Sequence, residues 1–103
     1  MSEDKGIHLF DNLQELLEKQ IEMARRGNFR RVEMLAEQAD SVVEKIVKTK
    51  GFEQPEFNDR REHLIKLYRK LELMLASGKD SVARQLRQMG NVRKTLKVYR
   101  NNS

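Results

Sequence analysis

Lys50-Gly51-Phe52-Glu53-Gln54-Pro55 is the firmest boundary in this chain. A glycine stands where the end of a helix favours one, and a proline, which cannot continue a helix, follows shortly after. Apolar stripes of matching rhythm run outward on both sides. Before the turn, Phe10, Leu13, Leu17, Ile21 and Ala24 are followed by Val32, Leu35, Ala39, Val42 and Ile46. After it come Leu64, Leu67, Leu71, Leu75, Gly78, Val82, Leu86, Met89, Val92 or Arg93, Leu96 and Tyr99. Steps of three and four are the period of an α-helix, provided Asn28 takes one stripe position in the first half. Strong helix formers such as Glu15, Glu18, Lys19, Glu37 and Glu44 fill the outer positions. Asn58 or Asp59 can cap the second helix, with Asp59 and Glu62 spaced as a capping box.

The spacing therefore predicts a single all-α domain over 1–103, a long antiparallel helical hairpin or coiled coil. Its first helix covers about 8–50, its turn 51–57 and its second helix about 58–100. The polar residues 1–7 are expected to fray, and Asn101, Asn102 and Ser103 form a tail. Two points interrupt the stripes. Arg25-Arg26-Gly27-Asn28-Phe29 could end a helix, but the stripe keeps phase across it. That favours a continuous helix carrying one glycine at a cost of about 1 kcal/mol relative to alanine. At Ser77-Gly78-Lys79-Asp80 the signals for a break are better, because Asp80 or Ser81 would cap a third helix well; both readings stay open there. A hairpin folded near residue 53 lays Gly27 beside Gly78. It also sets Arg25, Arg26, Arg30 and Arg31 across from Lys79 and Arg84 as a basic waist. Such a waist is either a dock for an acidic partner or phosphate backbone, or solvated arginines offset by Glu22 and Glu33.

A two-helix hairpin is too thin for this composition. Doublets widen the stripes past a seam: Leu16 beside Leu17, Val42 beside Val43, Ile46 beside Val47, Leu64 beside Ile65, Leu67 beside Tyr68. Each large side chain left in water forgoes about 1.5–3 kcal/mol of burial. A third helix, a dimeric bundle or a client helix in the groove would supply the missing wall.

Composition narrows the function. With 103 residues there is room for one domain. The absence of cysteine removes disulfides, thiolate metal sites and cysteine nucleophiles. The two histidines, His8 and His63, have no metal-ligand spacing, and no glycine-rich phosphate loop is present. No enzyme activity, metal or cofactor is expected. No apolar run approaches the ~20 residues that span a bilayer. The opening Met-Ser-Glu-Asp-Lys lacks a secretory signal pattern, so a cytoplasmic address is expected.

The net charge of +5 is unevenly placed. In residues 79–103, Lys79, Arg84, Arg87, Arg93, Lys94, Lys97 and Arg100 oppose the single acid Asp80. Leu86, Met89, Val92, Leu96 and Tyr99 line one side of that segment while Arg84, Arg87 and Lys94 occupy others. A basic amphipathic helix can lie on a membrane, bind nucleic acid or meet an acidic protein groove. The missing tryptophan and phenylalanine disfavour membrane, and the scarcity of stacking aromatics makes nucleic acid the weaker alternative. A core stripe with a charged exterior explains the same pattern without a ligand.

The layout resembles the flagellar type III export chaperone family, the small helical guardians of hook-associated and filament-cap subunits. The similarity spans roughly residues 9–100. It rests on the leucine-rich opening Leu13-Gln-Glu-Leu16-Leu17-Glu-Lys-Gln and the mid-helix Arg26-Gly27-Asn28-Phe29. It continues through Val32, Leu35, Ala39, Val42 and Ile46, then Leu64-Ile-Lys-Leu67, Leu71 and Leu75, and closes on Lys97-Val98-Tyr99-Arg100. The chain is shorter than many members and more basic than is usual for them. The resemblance implies that a client's carboxy-terminal amphipathic helix is held against an apolar groove and kept unassembled before secretion. Leu86, Met89, Val92, Leu96 and Tyr99 would then make apolar contact, with Arg84, Arg87 and Lys94 steering acidic client segments. The partners implied are that client helix and, in addition, a second copy of the chain. A generic dimeric coiled-coil protein and a basic nucleic-acid-associated helical protein are the competing readings.

Overall fold

The computed structural model describes the backbone of residues 2–77 and the side chains of residues 6–77. Within them the chain is all-α: α1 spans Ser2–Arg25, α2 Phe29–Lys48 and α3 Asn58–Ala76. Two single 3₁₀ turns, Gly51–Glu53 and Pro55–Phe57, join α2 to α3. The expected continuous helix over about 8–50 is therefore two helices, and the ends move as well. Residues 2–7, expected to fray, already belong to α1.

Gly27 and Asn28 together make the break. Gly27 has φ of +77°, the left-handed region in which an L side chain is strained. The amide of Gly27 donates to the carbonyl of Ala24 at 3.0 Å, and that of Asn28 to the carbonyl of Met23 at 2.9 Å. This pair of bonds is the Schellman motif, which satisfies carbonyls that the end of a helix would otherwise orphan. Asn28 then serves α2, its side-chain oxygen accepting from the Arg31 amide at 3.3 Å. One glycine and one asparagine thus close α1 and open α2. The stripe kept phase across them because a compact turn and a continuous helix can return the apolar face to the same side.

As a result the antiparallel hairpin exists, but it is α1 against α2 with Gly27 at its tip. Gln20, almost fully buried on α1, pins the pair by donating from Nε2 to the Val32 carbonyl at 3.2 Å. The turn at 50–57 carries the chain back to the start of α1, on which α3 packs. The Phe57 ring lies against Gly6, and Arg60 at the start of α3 pairs with Asp11. Helix α1 is thus the central element, flanked by α2 and α3. The expected juxtaposition of Gly27 with Gly78 involves a residue outside the described range, as does any helix boundary after Gly78.

The core follows the stripes closely. Phe10, Leu13, Leu17 and Ile21 of α1, Val32, Ala39, Val43 and Ile46 of α2, and Leu64, Ile65, Leu71 and Leu75 of α3 form one buried cluster. Val43 rather than Val42 faces inward, and Leu67 is only half-buried. At the amino-terminal end of α1 three phenylalanines from three segments meet. Phe10 stands edge-on to Phe52 with centroids 5.5 Å apart and lies tilted on Phe57 at 4.8 Å.

Two details of the second turn differ from expectation. Lys50, not Gly51, takes the left-handed conformation, with φ of 58°. Gly51 is needed for space: a Cβ there would sit 2.9 Å from Ile46 Cγ2. Helix α3 begins at Asn58 with Phe57 as its cap and no side-chain capping bond, so the Asp59–Glu62 capping box is not formed. Asp59 instead sits in the first turn, where a carboxylate favours the helix dipole. Arg61 is buried in this corner and donates from Nη1 to the Phe52 carbonyl at 2.7 Å.

Candidate functional site

The third wall that the sequence demands is supplied in part by α3, yet α1 and α2 still leave an open groove between them. Asn12, Glu15, Leu16 and Lys19 come from α1, spaced so that they share one flank of the helix. Gln38 and Val42 face them from α2. The groove holds about 270 Å³, at or below the small end of pockets that enclose drug-sized molecules. It suits side chains laid along it rather than a small ligand. Leu16 and Val42 are half-buried against the core. The Asn12 and Gln38 amides are exposed, and Glu15 pairs with Lys19 at 3.6 Å on the rim. Leu9 and Met23, seven residues either side of Leu16, continue the same flank of α1 and are also half-buried. An amphipathic helix finds here an apolar strip with amide and charged edges.

The doublets in the sequence explain the groove. In Leu16-Leu17 and Val42-Val43 the second member is in the core and the first is left on the shoulder. That sequence signal marked excess apolar width; which member stays outside depends on the helix pairing, which the break at Gly27 determines. A further apolar side chain, Leu73 on α3, is 73% exposed, and Leu67 and Met74 on the same helix are half-buried.

The second surface is the turn of the hairpin. Arg25 and Arg26 both engage Glu22, at 3.2 Å and 3.1 Å. Arg30 and Arg31 occupy the first turn of α2, which contains no acidic residue. The four arginines of the expected basic waist thus form a basic tip at one end of the α1–α2 hairpin, and Lys79 and Arg84, expected across from them, lie outside the described residues. Cations at the amino-terminal end of a helix oppose its dipole, at a cost of typically 0.3–1 kcal/mol each.

The residues expected to contact a partner, Arg84, Leu86, Arg87, Met89, Val92, Lys94, Leu96 and Tyr99, all lie outside the described residues, as does Lys79. Among the described residues no group of His, Asp or Glu is arranged to hold a metal ion. No helix among them is long and apolar enough to cross a membrane. The family model for "Flagellar protein FliT" matches residues 7–101 of the chain. No significant match was found among curated proteins or among solved structures.

Proposed function

Because the chain belongs to the FliT family, a flagellar export chaperone family, we propose that it holds an amphipathic helix of a flagellar client and keeps it unassembled before secretion. The match over 7–101 carries this reading, since it covers α1 from residue 7, all of α2 and α3, and the basic carboxy-terminal segment up to residue 101. The open flank of the α1–α2 hairpin supports it. Half-buried Leu16 and Val42 offer an apolar strip that the chain's own described helices leave partly uncovered. A client helix laid there gains burial for both partners without rearranging the core.

Leu86, Met89, Val92, Leu96 and Tyr99 are proposed as the apolar contacts of the carboxy-terminal segment, with Arg84, Arg87 and Lys94 guiding acidic client segments. The client class is the hook-associated or filament-cap subunit, and the compartment is the cytoplasm, where such subunits wait for type III export. Chemistry on the client is not required. Shielding one adhesive helix suffices to prevent premature polymerisation.

The test is a combined alanine variant at Leu86, Met89 and Leu96, titrated against a filament-cap or hook-associated subunit. Affinity should fall at least about tenfold, or 1.4 kcal/mol, with helicity and melting temperature unchanged. An unchanged affinity would refute the assignment of these residues. Loss of the chain's own self-association, with no loss of client binding, would favour a structural dimer instead.

A further inference from the structure

Arg25, Arg26, Arg30 and Arg31 fall within seven residues of one another at the tip of the α1–α2 hairpin, and all four are exposed. Their surroundings divide them into two pairs. Arg25 and Arg26 end α1, where cations complement the helix dipole, and they share the Glu22 carboxylate. Arg30 and Arg31 open α2, where the dipole opposes them, and no ion pair among the described residues engages either. Folding therefore places two exposed guanidinium groups, with no ion-pair partner among the described residues, at an unfavourable end of a helix. A local rule broken without compensation marks a place selected for something other than stability.

The charge of the other described residues defines the partner. Residues 1–78 hold 14 basic and 15 acidic side chains, and four of the 14 are these arginines, which leaves ten against fifteen elsewhere. The shafts behind the tip, with Glu15, Glu18, Glu33, Glu37, Asp40 and Glu44, are net acidic. A polyphosphate backbone or an anionic bilayer extends well past one turn of helix and would meet that repulsion. A few carboxylates in a row would not. Guanidinium groups also match carboxylates in a two-pronged geometry.

We infer that the α1–α2 turn docks a short acidic segment of a partner protein, with Arg30 and Arg31 as the carboxylate clamps. Arg25 and Arg26, already neutralised in part by Glu22, add field rather than direct contact. The amino-terminal end of α2 adds its own positive dipole to the same spot. This surface lies apart from the α1–α2 groove and does not depend on which client that groove takes.

The experiment uses the full chain, isotopically labelled, in an amide-shift titration at low salt with a short synthetic peptide of alternating Glu and Asp. Parallel titrations use a duplex DNA oligonucleotide of equal charge and phosphatidylglycerol vesicles. Peptide-induced shifts should cluster at residues 25–31. The Arg30→Ala/Arg31→Ala variant should bind the peptide at least about tenfold more weakly and melt no lower than the parent. Lys45→Ala/Lys48→Ala, near the far end of α2, should bind as the parent does. The inference is overturned by shifts confined to the carboxy-terminal segment, by unchanged affinity in the arginine variant, or by larger shifts at 25–31 with DNA or vesicles. A large drop in melting temperature for that variant would make the arginines structural and end the proposal as well.

Discussion

Replacing Gly27 by alanine separates a turn from a continuous helix by the sign of the effect. At φ of +77° an alanine pays the cost of the left-handed region, roughly 1–2 kcal/mol. Nothing lies within 4 Å of the added Cβ, so no steric clash contributes and the whole loss is conformational. In a continuous helix the same substitution would gain up to about 1 kcal/mol, the difference in propensity between glycine and alanine. Urea unfolding followed by far-ultraviolet circular dichroism reads the difference as a shift of midpoint at constant slope. A domain of this size loses about 4–8 °C of Tm per kcal/mol, so thermal melting provides a second readout. Gly27→Asn should lose less than Gly27→Ala, because asparagine tolerates the left-handed conformation better. Stabilisation by Gly27→Ala, or no change, would refute the hairpin tip and with it the pairing of α1 with α2.

Three other substitutions test the packing. Leu17→Ala removes a fully buried side chain from the centre of α1 and should destabilise by about 2–5 kcal/mol in the same unfolding assay. Gly51→Ala brings a Cβ to 2.9 Å from a branch of Ile46 that cannot rotate away; overpacking of this kind costs about 1–3 kcal/mol, seen as a lower urea midpoint. Arg61→Ala strips the Phe52 carbonyl of a charged donor in a buried corner and should cost about 1.5–3 kcal/mol, with faster amide exchange through residues 50–57.

The helical class and most of the core were legible because burial follows the three-and-four period directly. Phe10, Leu13, Leu17, Ile21, Leu64, Leu71 and Leu75 stand in the sequence stripes and are buried together. The topology was not legible, and the reason is local. A Schellman turn of two residues preserves the phase of the stripe, so periodicity could not distinguish Gly27 as a helix end from Gly27 as a tolerated interruption. The second turn misleads in the opposite direction. A glycine at a helix end suggests positive φ at Gly51, whereas Lys50 carries that conformation and Gly51 is glycine because Ile46 leaves no room for a side chain. Of the candidate surfaces, the doublets announced excess apolar width but not that Leu16 and Val42 would be its outer members. The arginines announced charge, but only the turn at Gly27 gathers them into a tip. The expected contacts from Arg84 to Tyr99 rest on the amphipathic pattern and on the family.

Client truncation tests the central claim most directly. A filament-cap or hook-associated subunit is titrated with the full chain, once intact and once without its carboxy-terminal amphipathic helix. The account predicts saturable binding of the intact subunit and its loss on removal of that helix. Equal binding of both forms, or of neither, would contradict it.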